Sequence, residues 1–328
     1  MTTTLPPEER TIAAAGDAAA RIRREIGKVM VGQDPVIDGV LVALFAGGHV
    51  LIEGVPGLGK TLLVRALARA FHGQFQRIQF TPDLMPNDVV GHVIYDQNAG
   101  QFRIRRGPVF ANLLLADEIN RAPAKTQSAL LEVMQELQVT IEGRAMPVPS
   151  PFMVLATQNP IEHEGTYPLP EAQLDRFLLK ILIDYPGEAE ERDMVRRVTR
   201  DRVGDTLDVS AVAALMQPDD VRRIQGIASR LRTDDQVTDY AVRIARATRN
   251  WPGVSIGAGP RGGIALVRCA RAAALLGGRD FVTPDDVKSV ALPALRHRIR
   301  ISPELELEGQ APDQVLTALL EQIEAPRR

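Results

Sequence analysis

The segment Gly54-Val55-Pro56-Gly57-Leu58-Gly59-Lys60-Thr61 has the spacing G-x-x-x-x-G-K-[ST] of a phosphate-binding loop. Its glycines let the backbone curl until N–H groups converge on an anion, and a helix opening at its end adds a partial positive charge. The loop and the following Leu62 then cradle a nucleoside triphosphate, with Lys60 reaching the β- and γ-phosphates and Thr61 offering its hydroxyl to Mg²⁺. A second constellation closes the apolar run Leu113-Leu114-Leu115-Ala116 with two carboxylates, Asp117 and Glu118. Asp117 is placed to hold the Mg²⁺ shell, and Glu118 to orient or deprotonate an attacking water. The plain alternative is a strand whose terminal acids only open a turn. Asn159 follows another apolar run and can aim its amide at the γ-phosphate, although Asn-Pro is also a common turn start. The chemistry these residues share is Mg²⁺-dependent hydrolysis of a nucleoside triphosphate.

Elements must bring these residues to one place. His49-Val50-Leu51-Ile52 reads as a buried parallel strand, and Leu62, Leu63, Ala66, Leu67 and Ala70 recur at helical spacing behind the loop. Strands are predicted over His49–Glu53, Gln76–Phe80, Asn112–Asp117, Phe152–Thr157 and Leu178–Ile183, alternating with helical stretches, as in a parallel sheet covered on both faces. Two insertions, His92–Arg105 and Val139–Val148, read as β-hairpins turning at Asp96–Gly100 and at Glu142-Gly143-Arg144. Past Tyr185-Pro186-Gly187 the β-branched runs give way to Ala, Arg, Leu and Val at helical spacing. Thr283-Pro284-Asp285-Asp286 carries a helix start, with Thr as N-cap and acids in the first turn. The expected organisation is a flexible arm over residues 1–20, an α/β nucleotide-binding domain over 21–187 and an all-α lid over 188–328. The face formed by Val315, Leu316, Leu319, Leu320 and Ile323 is expected to pack on that lid.

Composition narrows the partners. The 328 residues carry 39 Lys+Arg against 41 Asp+Glu, a net charge of -2, so no global field draws nucleic acid or an anionic membrane. The single cysteine, Cys269, is expected in the core. No apolar run reaches the roughly 18 residues of a membrane span, and a cytoplasmic location is expected. His49, His72, His92, His163 and His297 lack metal-ligand spacing.

The chain resembles the AAA+ ATPases and, within them, the MoxR family. The resemblance runs from about Val31 to Pro186 on Val31-Gly32-Gln33, Gly54–Thr61, Phe80-Thr81-Pro82-Asp83-Leu84, Gly107-Pro108-Val109-Phe110-Ala111-Asn112, Asp117-Glu118-Ile119-Asn120-Arg121-Ala122, Ala156-Thr157-Gln158-Asn159-Pro160, and the long stretch from Glu164 through Asp175-Arg176-Phe177. It implies a P-loop NTPase fold with a five-stranded parallel sheet, two hairpin insertions and a helical lid. It implies that Val31 and Gly32 lie near the adenine, that Asn159 is the sensor-one residue, that Arg176 is the arginine finger, and that Arg261 of Pro260-Arg261 is the sensor-two arginine, acting in its own or a neighbouring subunit. A surface ion pair with Asp175 is the bland alternative for Arg176.

The resemblance further implies a ring homo-oligomer of six subunits and a chaperone-like remodelling of protein clients, above all those with a von Willebrand factor A domain. Two alternatives stand beside it. A metal-chelatase-like motor subunit shares both hairpin insertions, and Arg103, Arg105 and Arg106 would suit a nucleic-acid translocating ATPase. Nucleic acid is the less favoured partner, because the charge is negative and aromatics make up only 4% of the chain.

Overall fold

The computed structural model describes residues 7–159, 165–199 and 208–326. Pro160, His163, Glu164 and residues 1–6, all used in the sequence reading, lie outside the described residues. The chain opens with α1 (Pro7–Gly27), α2 (Asp34–Phe45), β1 (Val50–Glu53), α3 (Lys60–Ala70), β2 (Phe75–Gln79) and α4 (Pro86–Val90). The hairpin of β3 (Gly91–Asp96) and β4 (Gln101–Arg106) precedes β5 (Leu113–Asp117) and α5 (Ala124–Glu136). A second hairpin, β6 (Gln138–Ile141) and β7 (Arg144–Pro147), is followed by β8 (Met153–Gln158), α6 (Glu171–Leu174) and β9 (Leu179–Leu182). The remainder comprises α7 (Glu188–Thr199), α8 (Pro218–Ser229), α9 (Asp235–Ala247), β10 (Val254–Ile256), α10 (Pro260–Leu276), α11 (Pro284–Leu295), β11 (Arg300–Ile301), α12 (Pro303–Leu307) and α13 (Pro312–Gln322).

The five core strands form one parallel sheet in the order β2-β5-β8-β1-β9. Parallel pairing needs both faces covered, and the side chains divide accordingly. Val50, Ile52, Leu113, Leu115 and Leu155 join a core that runs into the C-terminal helices, while Leu51, Leu114, Ala116, Val154 and Ala156 join the opposite core with α5 and the hairpin bases. All five predicted strands are present within one residue at either end, and both insertions are antiparallel hairpins. In the first, Asp96 Oδ1 accepts from the amides of Asn98 and Ala99. In the second, Glu142 and Gly143 take φ of +48° and +73°, the left-handed pair that a two-residue hairpin turn requires.

Two expectations are corrected. Residues 7–27, most of which had been assigned to a flexible arm, form α1. Its Ala15, Ala19, Ile22 and Ile26 recur every three or four residues and are buried. Small residues let it lie close to α10: a Cβ at Gly16 would stand 2.9 Å from the Leu275 carbonyl oxygen. An alanine stripe buries little area per residue, so composition hid the amphipathic pattern. The lid is also not all-α, since β10 and β11 pair antiparallel across it.

The predicted α11 start forms as read. Thr283 Oγ1 accepts from the Asp286 amide at 3.3 Å, and the Asp286 carboxylate accepts from the Thr283 amide at 2.8 Å and from the Arg279 guanidinium. Burial opposes charge on Asp286, but Arg279 and Thr283 outweigh it and hold the carboxyl below its usual range. Cys269 is fully buried, and burial pushes its thiol up to about 12. Val315, Leu316, Leu319 and Leu320 are buried on the inner face of α13. Among the described residues no helix is long and apolar enough to cross a membrane.

Candidate active site

The loop between β1 and α3 turns where glycine is needed. A Cβ at Gly54 would stand 2.3 Å from the Ile183 carbonyl oxygen, and Gly59 holds φ +78° at the start of α3. No side chain caps that helix, so its first amides are left to the cavity beside it. This cavity, about 340 Å³, is lined by Gly57, Gly59, Lys60, Thr61, Asp117, Glu118 and Asn159, among others. A Cβ at Gly57 would meet nothing within 4 Å, so the loop leaves open space where a phosphate must approach the backbone. The Lys60 ammonium donates to the Gly54 carbonyl, and burial pulls its pKa below the usual lysine range against the attraction of Asp117, Glu118 and Glu53.

Parallel register brings the acids there. Gln79 of β2 lies opposite Asp117 of β5, and Ala116 lies opposite Ala156 of β8, so the carboxyl ends of β2, β5 and β8 lie side by side. Thr157 ties the two acids together: its hydroxyl donates to Asp117 Oδ1 at 2.6 Å and accepts from the Glu118 amide at 2.8 Å. Arg77 donates to Asp117 Oδ2 at 2.7 Å, while Gln79 and Arg121 donate to Glu118 Oε2 at 2.7 and 3.0 Å. Glu118 itself sits at φ +55°, a left-handed backbone that costs a non-glycine residue on the order of 1 kcal/mol and is held here by the bond to Thr157. The donor set suits Mg²⁺ with few protein ligands: one carboxylate, Asp117, and one hydroxyl, Thr61, on the two sides of the cavity.

Val31 and Gly32 lie beside the loop rather than in the phosphate cavity. Met30 Sδ is 3.4 Å from where a Cβ of Gly59 would stand, and Gly32, at φ +70°, lies against Glu190 of α7. Gln33 Nε2 donates to the Asp184 carbonyl at 2.8 Å, fastening this stretch to the end of β9.

Arg176 and Arg261 are elsewhere. Because Val50 pairs with Leu179, residues just before Leu179 lie level with His49, at the end of β1 away from the phosphate loop. A strand rises about 3.3 Å per residue, so this edge is roughly 15 Å from the loop. Here Arg176 and Arg261 line a separate cavity of about 310 Å³. Arg261 Nη1 is 3.6 Å from Asp175 Oδ2, and Arg298 Nε donates to Asp175 Oδ1 at 2.8 Å. Asp175 is thus engaged by lid arginines, and among the described residues Arg176 makes no ion pair, so the surface pair with Asp175 is not formed. His49 anchors the same edge: its Nδ1 accepts from the Val154 amide at 3.0 Å, its Nε2 donates to the Met134 carbonyl at 3.1 Å, and burial lowers its pKa to about 4.

Sequence reasoning missed Arg77, Gln79, Arg121 and Thr157. The available signal was Arg77 and Gln79 alternating on β2, polar side chains in a sheet whose other strands are apolar. A larger cavity, about 740 Å³, lies between α1, α2, β9 and α11, with Arg23 paired to Asp38 and Arg296 to Asp313 at its rim. Donor chemistry, not size, marks the phosphate site.

Comparison with known proteins agrees with this geometry. Residues 49–179 match the model of the "ATPase family associated with various cellular activities (AAA)", and residues 246–319 match an "AAA lid domain". The chain is 46% identical to "Chaperone MoxR1" of Mycobacterium tuberculosis, over 92% of this chain and 81% of that protein. It is 34% identical to "Protein MoxR" of Methylorubrum extorquens, over 98% of this chain and 99% of that one. The solved structure of a candidate ATPase from Cytophaga hutchinsonii superposes with a TM-score of 0.89 at 42% identity, covering 97% of this chain and 98% of that chain.

Proposed function

The chain belongs to the MoxR family of AAA+ ATPases, and from that premise we propose that it assembles into a closed ring, hydrolyses ATP at sites shared between neighbouring subunits, and uses the cycle to remodel partner proteins. The observation that carries the shared site is the division of the machinery. Lys60, Thr61, Asp117, Glu118 and Asn159 line one cavity, whereas Arg176 and Arg261 stand together at the opposite edge of the sheet. An arginine roughly 15 Å from its own phosphate loop serves a neighbour's γ-phosphate or none. Head-to-tail contact repeated around a closed ring gives every loop edge an arginine edge, and the family resemblance points to six subunits.

In that site the loop amides and Lys60 bind the β- and γ-phosphates, Glu118 accepts the proton of the attacking water, and Asn159 orients that water with its amide. Thr61 and Asp117 hold Mg²⁺, which supplies positive charge to the phosphate oxygens. Arg176 of the adjacent subunit neutralises charge developing on the transferred phosphoryl group. Val31 and Gly32 border the adenine, and Arg261 acts with Arg176 in the neighbour's site.

The first hairpin supports contact with a client. Tyr95 and Phe102 face each other across the strands with ring centroids 5.2 Å apart and are 56% and 76% exposed, continuing outward the line begun by Val93 and Ile104 at the core. An aromatic tip suits an exposed, partly apolar polypeptide. Nucleic acid gains less support, since Arg103 pairs with Asp96 at 3.1 Å and Arg106 stacks over Phe110. The client class we propose is proteins with a von Willebrand factor A domain. Glu118→Gln protein held in ATP and used as bait in native extract is expected to retain such a protein, and Lys60→Ala bait to lose it. Enrichment of nucleic acid, or of a metal-chelatase subunit, in its place would overturn the remodelling reading.

A further inference from the structure

Arg298 is an arginine that the hydrolytic reading does not use, and its side chain is 3% exposed. Its donors point at one short stretch, at its own helix end and at the ring of the neighbouring His297, whose Nε2 lies 2.8 Å from Nη1. Nε donates to Asp175 Oδ1 at 2.8 Å, Nη2 to the Phe177 carbonyl at 2.7 Å and to the Asp175 carbonyl at 3.3 Å, and Nη1 to the carbonyls of Leu178, at 3.1 Å, and Ala294. The stretch it grips, Asp175–Leu178, joins α6 to β9 and carries Arg176 in its middle. His297 adds a contact to the same turn, its Nε2 lying 2.9 Å from the Phe177 carbonyl oxygen.

The flanking lid residues repeat the pattern. Arg296 donates to the Lys180 carbonyl at 3.2 Å, and Arg300 pairs with Glu171 at 3.0 Å, so arginines at every second position of the segment after α11 fasten residues 171–180. The Asp175 carboxylate has a second guest, Arg261 at the start of α10. One partly exposed carboxylate thereby joins the turn bearing Arg176 to both Arg261 and Arg298 of the lid. Apolar side chains would fill the same space without burying a charge, so packing alone gives no reason for a guanidinium here. A planar fork that fixes several carbonyls and a carboxylate at once is suited to setting backbone position.

We propose that Arg298, acting through Asp175, is a positioning residue for catalysis in the adjacent subunit: it locks the Asp175–Leu178 turn to the lid so that Arg176 and Arg261 are presented together as one rigid edge. The idea rests on the reading that Arg176 works in trans. It makes the lid part of the transferred catalytic apparatus, so a shift of the lid on the sheet moves the arginine edge seen by the next subunit.

Two variants test it, Arg298→Lys, which keeps the charge and loses the fork, and Asp175→Asn, which keeps the shape and loses the charge. Each is expected to lower kcat on the order of 10²-fold, the cost of displacing a catalytic group by about 1 Å, with Kd for ATP unchanged because the phosphate loop is untouched. Each is then mixed in equal amounts with Glu118→Gln protein, whose own sites are blocked but whose arginine edge is intact. Where a variant's loop edge meets the intact edge of a Glu118→Gln subunit, turnover returns, up to about a quarter of the wild-type rate if subunits mix at random around the ring. A mixture of Arg176→Ala with Glu118→Gln serves as the reference. If that reference regains turnover while the Arg298 and Asp175 mixtures do not, the positioning role is wrong and the trans reading stands. If the reference itself stays inactive, the trans reading fails and takes the proposal with it. Unchanged kcat in both variants, or loss of ATP binding together with turnover, would assign Arg298 to structure alone and overturn the proposal.

Discussion

Replacing Arg176 by alanine is expected to lower kcat by on the order of 10³ to 10⁵ while leaving the Kd for ATP within about twofold of the wild-type value. The asymmetry follows from position. Arg176 lies at the end of the sheet away from Gly54–Thr61, so its removal leaves the loop amides, Lys60 and Thr61 in place. What is lost is a positive charge at the neighbour's transferred phosphoryl group, which matters most as charge builds there. Among the described residues Arg176 has no ionic partner, so truncation strands no buried acid and stability should change little. Equilibrium binding of a fluorescent nucleotide and steady-state phosphate release separate the two quantities. Wild-type kcat in the variant would remove Arg176 from the mechanism, and a large rise in Kd with little change in kcat would place it in nucleotide binding.

Glu118→Gln is expected to lower turnover by about 10²- to 10⁴-fold, the usual contribution of a general base, with ATP still bound. The amide keeps the size of the side chain and an acceptor for Gln79, but it cannot take a proton from water. The backbone at φ +55° is held by Thr157 through the Glu118 amide, which the substitution does not alter. Loss of one negative charge near Lys60 leaves Asp117 and Glu53 to oppose the burial that depresses its pKa, so nucleotide affinity should hold or rise. Rapid-quench measurement of a single turnover reads the chemical step directly. Undiminished turnover would reduce Glu118 to the acid that opens a turn after β5.

The parts of this machine legible in the sequence are those encoded by neighbouring residues. The phosphate loop is local, because glycine placement, Lys60 and Thr61 must follow one another along the chain for the backbone to curl and the helix to start. Strands β1, β5, β8 and β9 were legible because parallel strands buried in the sheet read as largely apolar runs, and Thr283-Pro284-Asp285-Asp286 because a helix cap is completed within four residues. Features assembled from distant segments were not. Arg298 meets Asp175 only after β9 and α11 have packed, and nothing in Arg296-His297-Arg298 distinguishes a buried fork from a solvated basic stretch. Arg77 and Thr157 gain their meaning from strand order, since β5 must lie between β2 and β8 for both to reach Asp117. The helix α1 was hidden for a different reason: before Ile22 its buried face is made mainly of Ala15 and Ala19, and such small residues carry a weak hydrophobic signal, although with Gly16 they allow a close approach to α10.

The central claim is that one active site requires two subunits, and the specific ATPase rate as a function of protein concentration tests it most directly, with the assembly state recorded in the same samples by sedimentation. The account predicts that turnover per chain falls towards zero as dilution yields monomers and rises to a plateau as the ring forms. A rate per chain that stays constant down to concentrations where only monomer sediments would contradict it, because a lone subunit would then be supplying every group the reaction needs.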